Sequence, residues 1–261
     1  MSMLLPFTKP SVDHREQTLR DLRRILAEAK GPELARFSFG LADVDAHMPE
    51  GGLPLGALHE FVPHAPEDIP AAFGFIAALL GRILAEKAGL IFLITGLEDR
   101  STYGRPYSHG LQNLGLDPAR LLLVTADGAK QTQWALEETL RSALPIAVAG
   151  MIEGLGFRSS QRLQFAAENS GRPLLLLRPP GIAGSSVAVT RWRIGAASAV
   201  RDPFGLITHW RWKVTLERCR NGRPGEWLME FDHAYRFGLA AAMADCPPSV
   251  SAIASSSRRT I

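Results

Sequence analysis

The sequence predicts an α/β fold, with a mainly parallel sheet and an antiparallel hairpin at its C-terminal end. Three observations carry this. Short, largely apolar runs recur between residues 90 and 177, as buried parallel strands do. Stretches with helical periodicity separate those runs, which is the signature of βαβ units. After residue 185 the pattern changes to strict alternation of apolar and charged residues, as in strands with one buried and one wet face.

The elements follow in order. Residues 12–30 read as an amphipathic helix, with Leu19, Leu22, Ile25 and Leu26 on one face and Gly31-Pro32 to end it. Leu58–Val62 is a short strand. Asp68 is placed to cap the next helix, with Pro70 in its first turn and 71–86 as its body. Leu90–Thr95 is a buried strand, and Arg105–Leu114 a helix. Leu121–Thr125 is a further buried strand, and Lys130–Ser142 a helix carrying Trp134, Leu136 and Leu140. Pro145–Ala149, Ser159–Ser170 and Pro173–Leu177 continue as strand, helix and strand. Val187–Ile194 and His209–Arg218 then read as strands. In the second, Trp210, Trp212, Val214 and Leu216 alternate with Arg211, Lys213, Thr215 and Glu217. Asn221-Gly222 and Pro224-Gly225 supply turn residues before a returning strand, Glu226–Phe231. Residues 243–261 are rich in Ser, Ala and Pro and read as a flexible tail. The division is then an N-terminal helical arm (1–36), one α/β domain (37–242) and the tail (243–261).

At 261 residues, the chain is long enough for one substantial core. Its net charge of +3 permits an acidic partner such as DNA without demanding one. Cys219 and Cys246 sit in no metal or redox spacing and are expected to be reduced thiols. No segment has the pattern of a signal peptide. The most apolar stretch, 71–81, is broken by Arg82, Glu86 and Lys87 short of the roughly 20 residues a membrane span needs. The expectation is a cytoplasmic protein with no membrane association. His59 and His64 lack a supporting Cys or carboxylate pattern, so no metal is expected.

Two motifs carry a family resemblance. Gly51-Gly52-Leu53-Pro54-Leu55-Gly56-Ala57-Leu58-His59-Glu60 resembles the lead-in to the phosphate loop of RecA-type ATPases. Arg218-Cys219-Arg220-Asn221-Gly222-Arg223-Pro224-Gly225-Glu226, followed by Phe231-Asp232, resembles the late hairpin of RecA-like ATPases and replicative helicases. Together they frame residues 37–237. The phosphate loop such a protein needs is missing. Pro63 stands for its first glycine, Asp68 for its second, Ile69 for its lysine and Pro70 for its hydroxyl residue. Proline offers no N–H, Asp68 and Glu67 bring negative charge, and Ile69 removes the cation. The strand 145–149 runs into Gly150-Met151-Ile152-Glu153, so the magnesium-orienting carboxylate is absent or displaced to Glu153. Only Glu98 stands near the place of the catalytic glutamate. A pseudo-ATPase without nucleotide cofactor is therefore expected.

The segments Leu53–Glu60, Gly115–Val124, Trp134–Glu138 with Leu140–Ser142, Arg162–Gln164 with Ala166–Glu168, and Thr190–Arg193 resemble the ImuA family. That resemblance implies a non-catalytic role in SOS-induced translesion DNA synthesis, in the cytoplasm at the nucleoid. It also implies docking to an ImuB-type Y-family polymerase homologue, with RecA as a second candidate partner. A SulA-like inhibitor of cell division and a nucleotide hydrolase with a rebuilt loop are the alternatives. Arg191, Arg193, Arg211, Lys213, Arg218 and Arg220 cluster on the late strands, among Trp192, Trp210 and Trp212. Period-two alternation turns the tryptophans inward. The cations read equally as a solvated face or as a DNA- or partner-contacting one. Arg218 and Arg220 also match positions that reach a neighbour's nucleotide in ATP-dependent relatives.

Overall fold

A computed structural model describes residues 35–96, 103–181, 186–232, 234 and 236–240. The expected N-terminal helix and C-terminal tail lie outside them, as do Glu98 and most of the Gly181–Ser186 loop. Eleven strands are present among the described residues: β1 (Arg36–Phe37), β2 (Leu53–Pro54), β3 (Leu58–Pro63), β4 (Leu90–Gly96), β5 (Leu121–Ala126), β6 (Pro145–Met151), β7 (Leu174–Leu177), β8 (Thr190–Arg201), β9 (Ile207–Cys219), β10 (Gly225–Asp232) and β11 (Phe237–Leu239). The helices are α1 (Ala42–Asp45), α2 (Ile69–Glu86), α3 (Ser108–Gln112), α4 (Gly128–Arg141) and α5 (Phe157–Ser170).

Nine strands form one sheet in the order β11-β10-β9-β8-β3-β7-β6-β4-β5. From β8 to β5 every neighbouring pair is parallel. From β8 to β11 every pair is antiparallel. The sheet is thus a parallel body with an antiparallel wing, and β3 sits in its middle. The apolar runs β4, β6 and β7 are buried on both faces because helices cover both. Phe61, Ile91, Leu93, Ala149 and Leu175 pack under α2. Phe92, Ile94, Val148, Leu174 and Leu176 pack under α4 and α5.

The wing's inner face continues the α2 side. Trp192, Ile194, Trp212, Val214, Leu216, Met229 and Phe231 join Phe37, Phe39 and Phe237 in one core. Phe61 stacks on Trp192 with ring centroids 6.5 Å apart, and Phe75 meets Trp212 edge-on at 5.5 Å. The inward reading therefore holds for Trp192 and Trp212, while Trp210 is half-buried against the same core.

Several expectations are corrected. Leu121–Ala126 is a strand, but it lies at the sheet's edge and leaves Leu122 and Leu123 exposed. An apolar run cannot tell a central strand from an edge one. Trp134 points to solvent from α4, while Leu136 and Leu140 are buried. The helix expected over 105–114 is confined to Ser108–Gln112. β8 begins at Thr190 and runs to Arg201, later and longer than expected. Its end, like β9's beginning, lies in an exposed hairpin that carries Phe204 and Leu206 at its turn and that periodicity does not mark. The helix expected to run to Glu86 does end there, and it begins at Ile69. Pro66–Glu86 is, among the described residues, the one stretch long and apolar enough to cross a membrane, yet most of it is buried inside the protein. Arg82 is accommodated by Glu86, 3.8 Å away, and by the ring of Phe37.

Two glycines mark close approaches. A Cβ on Gly81 would stand 2.6 Å from the Leu114 carbonyl oxygen, so this position of α2 admits the turn after α3 only without a side chain. In the β9–β10 turn Asn221 takes a left-handed φ of 61°, and a Cβ on Gly222 would stand 2.4 Å from the His47 carbonyl oxygen.

Candidate functional site

The site begins with the connection from the central strand β3 to α2, residues 64–68. This is the strand–loop–helix place where phosphate-binding proteins wrap a nucleotide. Backbone N–H groups do that wrapping, so their partners decide what the loop can hold. Pro63, Pro66 and Pro70 have none to offer. His64 N–H donates to the Ile194 carbonyl at 2.9 Å, and Asp68 N–H to that of Ala65 at 3.0 Å. Asp68 was expected to cap α2. It occupies the N-cap position, but its carboxylate makes no cap bond and instead accepts the Ala196 N–H at 2.9 Å. Strand β8 presents that N–H within reach, which sequence periodicity cannot reveal. The His64 ring lies over Gly195, where a Cβ would come within 2.9 Å of it. The loop is tied down on β8.

Beside it, at the carboxyl ends of β4, β6 and β7, a crevice of about 510 Å³ opens. Ligands of parallel α/β sheets bind at such ends. Here Ile69, Pro70 and Phe73 of α2 face Leu93 and Thr95 of β4, Met151 of β6 and Leu177 of β7. Tyr103 and Tyr107 stand exposed at its lip. Its walls are predominantly apolar. Gly150 and Met151 occupy the end of β6, and Glu153 lies exposed beyond it, outside the crevice lining.

On the opposite face of β3, Glu60 is fully buried and held from two sides. Arg178 Nη1 donates to Oε1 at 2.7 Å, and Arg191 donates to Oε2 through Nε at 2.9 Å and Nη2 at 2.7 Å. Burial pushes the Glu60 carboxyl up. The two guanidiniums and the Ser186 hydroxyl outweigh it and hold the carboxyl below its ordinary range. Arg218 donates to the Ser186 and Ala188 carbonyls, and Arg220 to that of Val187. Desolvation and the neighbouring Arg191 lower the Arg218 pKa, while Glu60 supports its charge. Arg191, Arg218 and Arg220 thus gather around one segment, 186–188, on the return into β8.

The other cations are spread along the wing. Arg193 pairs with Glu217 at 2.5 Å and Arg211 with Glu230 at 2.9 Å, while Lys213 is exposed. The structure therefore divides the six predicted cations into a cluster of three and a separate ladder.

Sequence reasoning weighed His59 only as a metal ligand and did not see the role it has in the core. It is fully buried and both ring nitrogens are engaged, Nδ1 with Thr190 Oγ1 and Nε2 with the Pro54 carbonyl, each at 2.8 Å. A carbonyl only accepts, so Nε2 carries the proton. Trp192 Nε1–H donates to Thr190 Oγ1 at 2.8 Å, and that hydroxyl donates on to His59 Nδ1. Burial pushes the His59 pKa down from 6.5 to about 4, against the opposing Pro54 hydrogen bond. This chain of bonds joins the Gly51–Glu60 lead-in to β8. Its only trace in sequence is the polar pair His59-Glu60 inside the strand Leu58–Pro63. Among the described residues, no cluster of His, Cys, Asp or Glu could hold a metal.

No family model matches the chain. It is similar to Protein ImuA of two strains of Caulobacter vibrioides, NA1000/CB15N and ATCC 19089/CB 15. Each is 32% identical over 227 residues, covering 80% of this chain and 90% of that protein. The chain belongs to the ImuA family. That likeness spans most of both chains, so it extends well beyond the two end motifs.

Proposed function

We propose that the chain is a RecA-like pseudo-ATPase acting as a non-catalytic accessory protein in SOS-induced translesion DNA synthesis, docking an ImuB-type Y-family polymerase homologue. The observation that carries this reading is the loop at 64–68. It joins the central strand to α2 and contains a proline without an N–H, while the His64 N–H is bonded to β8 and the Asp68 N–H to the Ala65 carbonyl. Ile69 and Pro70 line an apolar crevice, where neither offers a cation or a hydroxyl. Membership of the ImuA family supports the DNA-damage role and the polymerase partner. The family likeness combined with an unsuited loop favours a scaffold over a hydrolase.

RecA is the second proposed partner. The N-terminal segment (1–36), the tail (243–261) and the cations Arg191, Arg193, Arg211, Lys213, Arg218 and Arg220 are the proposed contact groups. The domain between those segments, 37–242, is the proposed core.

Two measurements test the reading. A ligand at 100 times its Kd stabilises a protein by about 2.7 kcal/mol. Millimolar Mg–ATP is expected to leave the Tm unchanged, and a clear upward shift would return the protein to the nucleotide hydrolases. The full chain is expected to retain the purified ImuB-type homologue in a pull-down. Retention of a tubulin-like cell-division GTPase instead would overturn the assignment.

A further inference from the structure

Helices α4 and α5 pack side by side and leave a cleft of about 500 Å³ between them, away from the apolar crevice. Leu140, Phe165 and Ala166 supply its apolar surface, and Arg141, Arg162 and Arg172 its cations. Glu137, only 4% exposed, sits between the helices and receives Arg141 on Oε1 and Arg162 on Oε2, each at 2.5 Å. Those arginines are about 60% exposed. One buried carboxylate therefore fixes two outward guanidiniums from opposite walls. A buried group serving exposed ones sets their direction at low entropic cost to any later binding event.

Hydrogen-bonding capacity remains. Among the described residues the Arg162 side chain donates only through Nη2 to Glu137, and the Arg172 side chain only through Nη2 to the Ala143 carbonyl. Nε and Nη1 of both remain open to an acceptor, and guanidinium groups suit carboxylates. Beside them Phe165 is 64% exposed. An aromatic ring flanked by arginines is the composition of residues that dominate protein interfaces.

We propose that this cleft is a docking site for a protein segment that carries carboxylates beside an apolar side chain. The carboxylates meet Arg162 and Arg172, and the apolar side chain covers Phe165 and Leu140. A second copy related by two-fold symmetry would set this arginine-rich patch against the same patch, so charge disfavours self-association here. Nucleic acid is disfavoured because Glu138 stands beside Arg141 at 2.9 Å, putting a carboxylate where a phosphate track would pass. The inference does not depend on the absence of ATP chemistry or on the identity of the polymerase partner.

The test is fluorescence anisotropy with the full chain and a fluorescein-labelled peptide in which Asp and Glu flank a central Leu-Trp pair. Controls are the same peptide with Lys for every acidic residue and a labelled single-stranded oligothymidylate. The acidic peptide is expected to bind more tightly than the lysine peptide. Arg162→Ala and Phe165→Ala should each weaken it roughly tenfold. Arg172→Ala, which removes a single carbonyl bond, should weaken it with the Tm preserved. Equal binding of both peptides would overturn the proposal, as would acidic-peptide binding unaffected by the three variants. Tighter binding of the oligonucleotide, lost in Arg162→Ala, would assign the cleft to nucleic acid instead.

Discussion

Glu60 and Glu230 both lie on the sheet and both meet arginine, yet their surroundings make them different objects. Glu60 and Arg178 are 0% and 2% exposed, on the parallel body. Glu230 and Arg211 are each 22% exposed, on the antiparallel wing. Water screens the second pair and supplies alternative partners if one side chain is lost. It cannot do so for the first, where the surviving charge stays buried. The same contrast separates His59, sealed under the lead-in to β3, from the exposed Lys213. The polar groups that hold the core together thus cluster around β3, while those of the wing are available for contact.

The largest effect that sharpens this contrast should come from Arg178→Met. It removes one side of the clamp on Glu60 and is expected to cost about 3–5 kcal/mol in denaturant unfolding. A loss below about 1 kcal/mol would mean Arg191 and Ser186 suffice for Glu60, and the contrast would fall.

Acid should give the next effect. The folded His59 pKa is about 4 and the unfolded one near 6.5. Between those values the unfolded chain binds a proton that the native chain refuses. Stability is therefore whole above pH 6.5 and falls by about 1.4 kcal/mol per pH unit below it, roughly 3 kcal/mol by pH 4. Glu60, with its folded pKa lowered from 4.5, adds its own loss only as pH falls below that ordinary value and through the folded one. His59→Gln should flatten the upper window and leave the lower one, as read by urea midpoints across pH. An unchanged slope between pH 4 and 6.5 would show that His59 is not the group responsible.

The smallest effect is expected on the wing. Arg211→Ala should cost no more than about 1 kcal/mol, and its double-mutant coupling to Glu230 should lie between about 0 and 1 kcal/mol. A coupling as large as the Arg178 effect would erase the distinction between the two regions.

Much of this was legible in the residues themselves. Apolar runs and alternation located the strands of the body and the wing, because burial on two faces or one leaves a period that sequence displays. The chemistry of Pro63, Asp68, Ile69 and Pro70 was readable for a related reason, since proline lacks an N–H and isoleucine a charge in any conformation. What lay beyond reach was every choice among partners distant in sequence. Asp68 had the residue type of a helix cap, but β8 brought the Ala196 N–H to it across 128 residues. Glu60 met Arg178 across 118 residues and Arg191 across 131. Arg162 and Glu137 met only because α4 and α5 lie side by side. Local pattern determined the elements and the side chains the loop can offer, because those follow from each residue and its near neighbours. The tertiary structure alone decided which charges are buried, which are shared and which remain open to a partner, because charge acquires its energy from the groups packed around it.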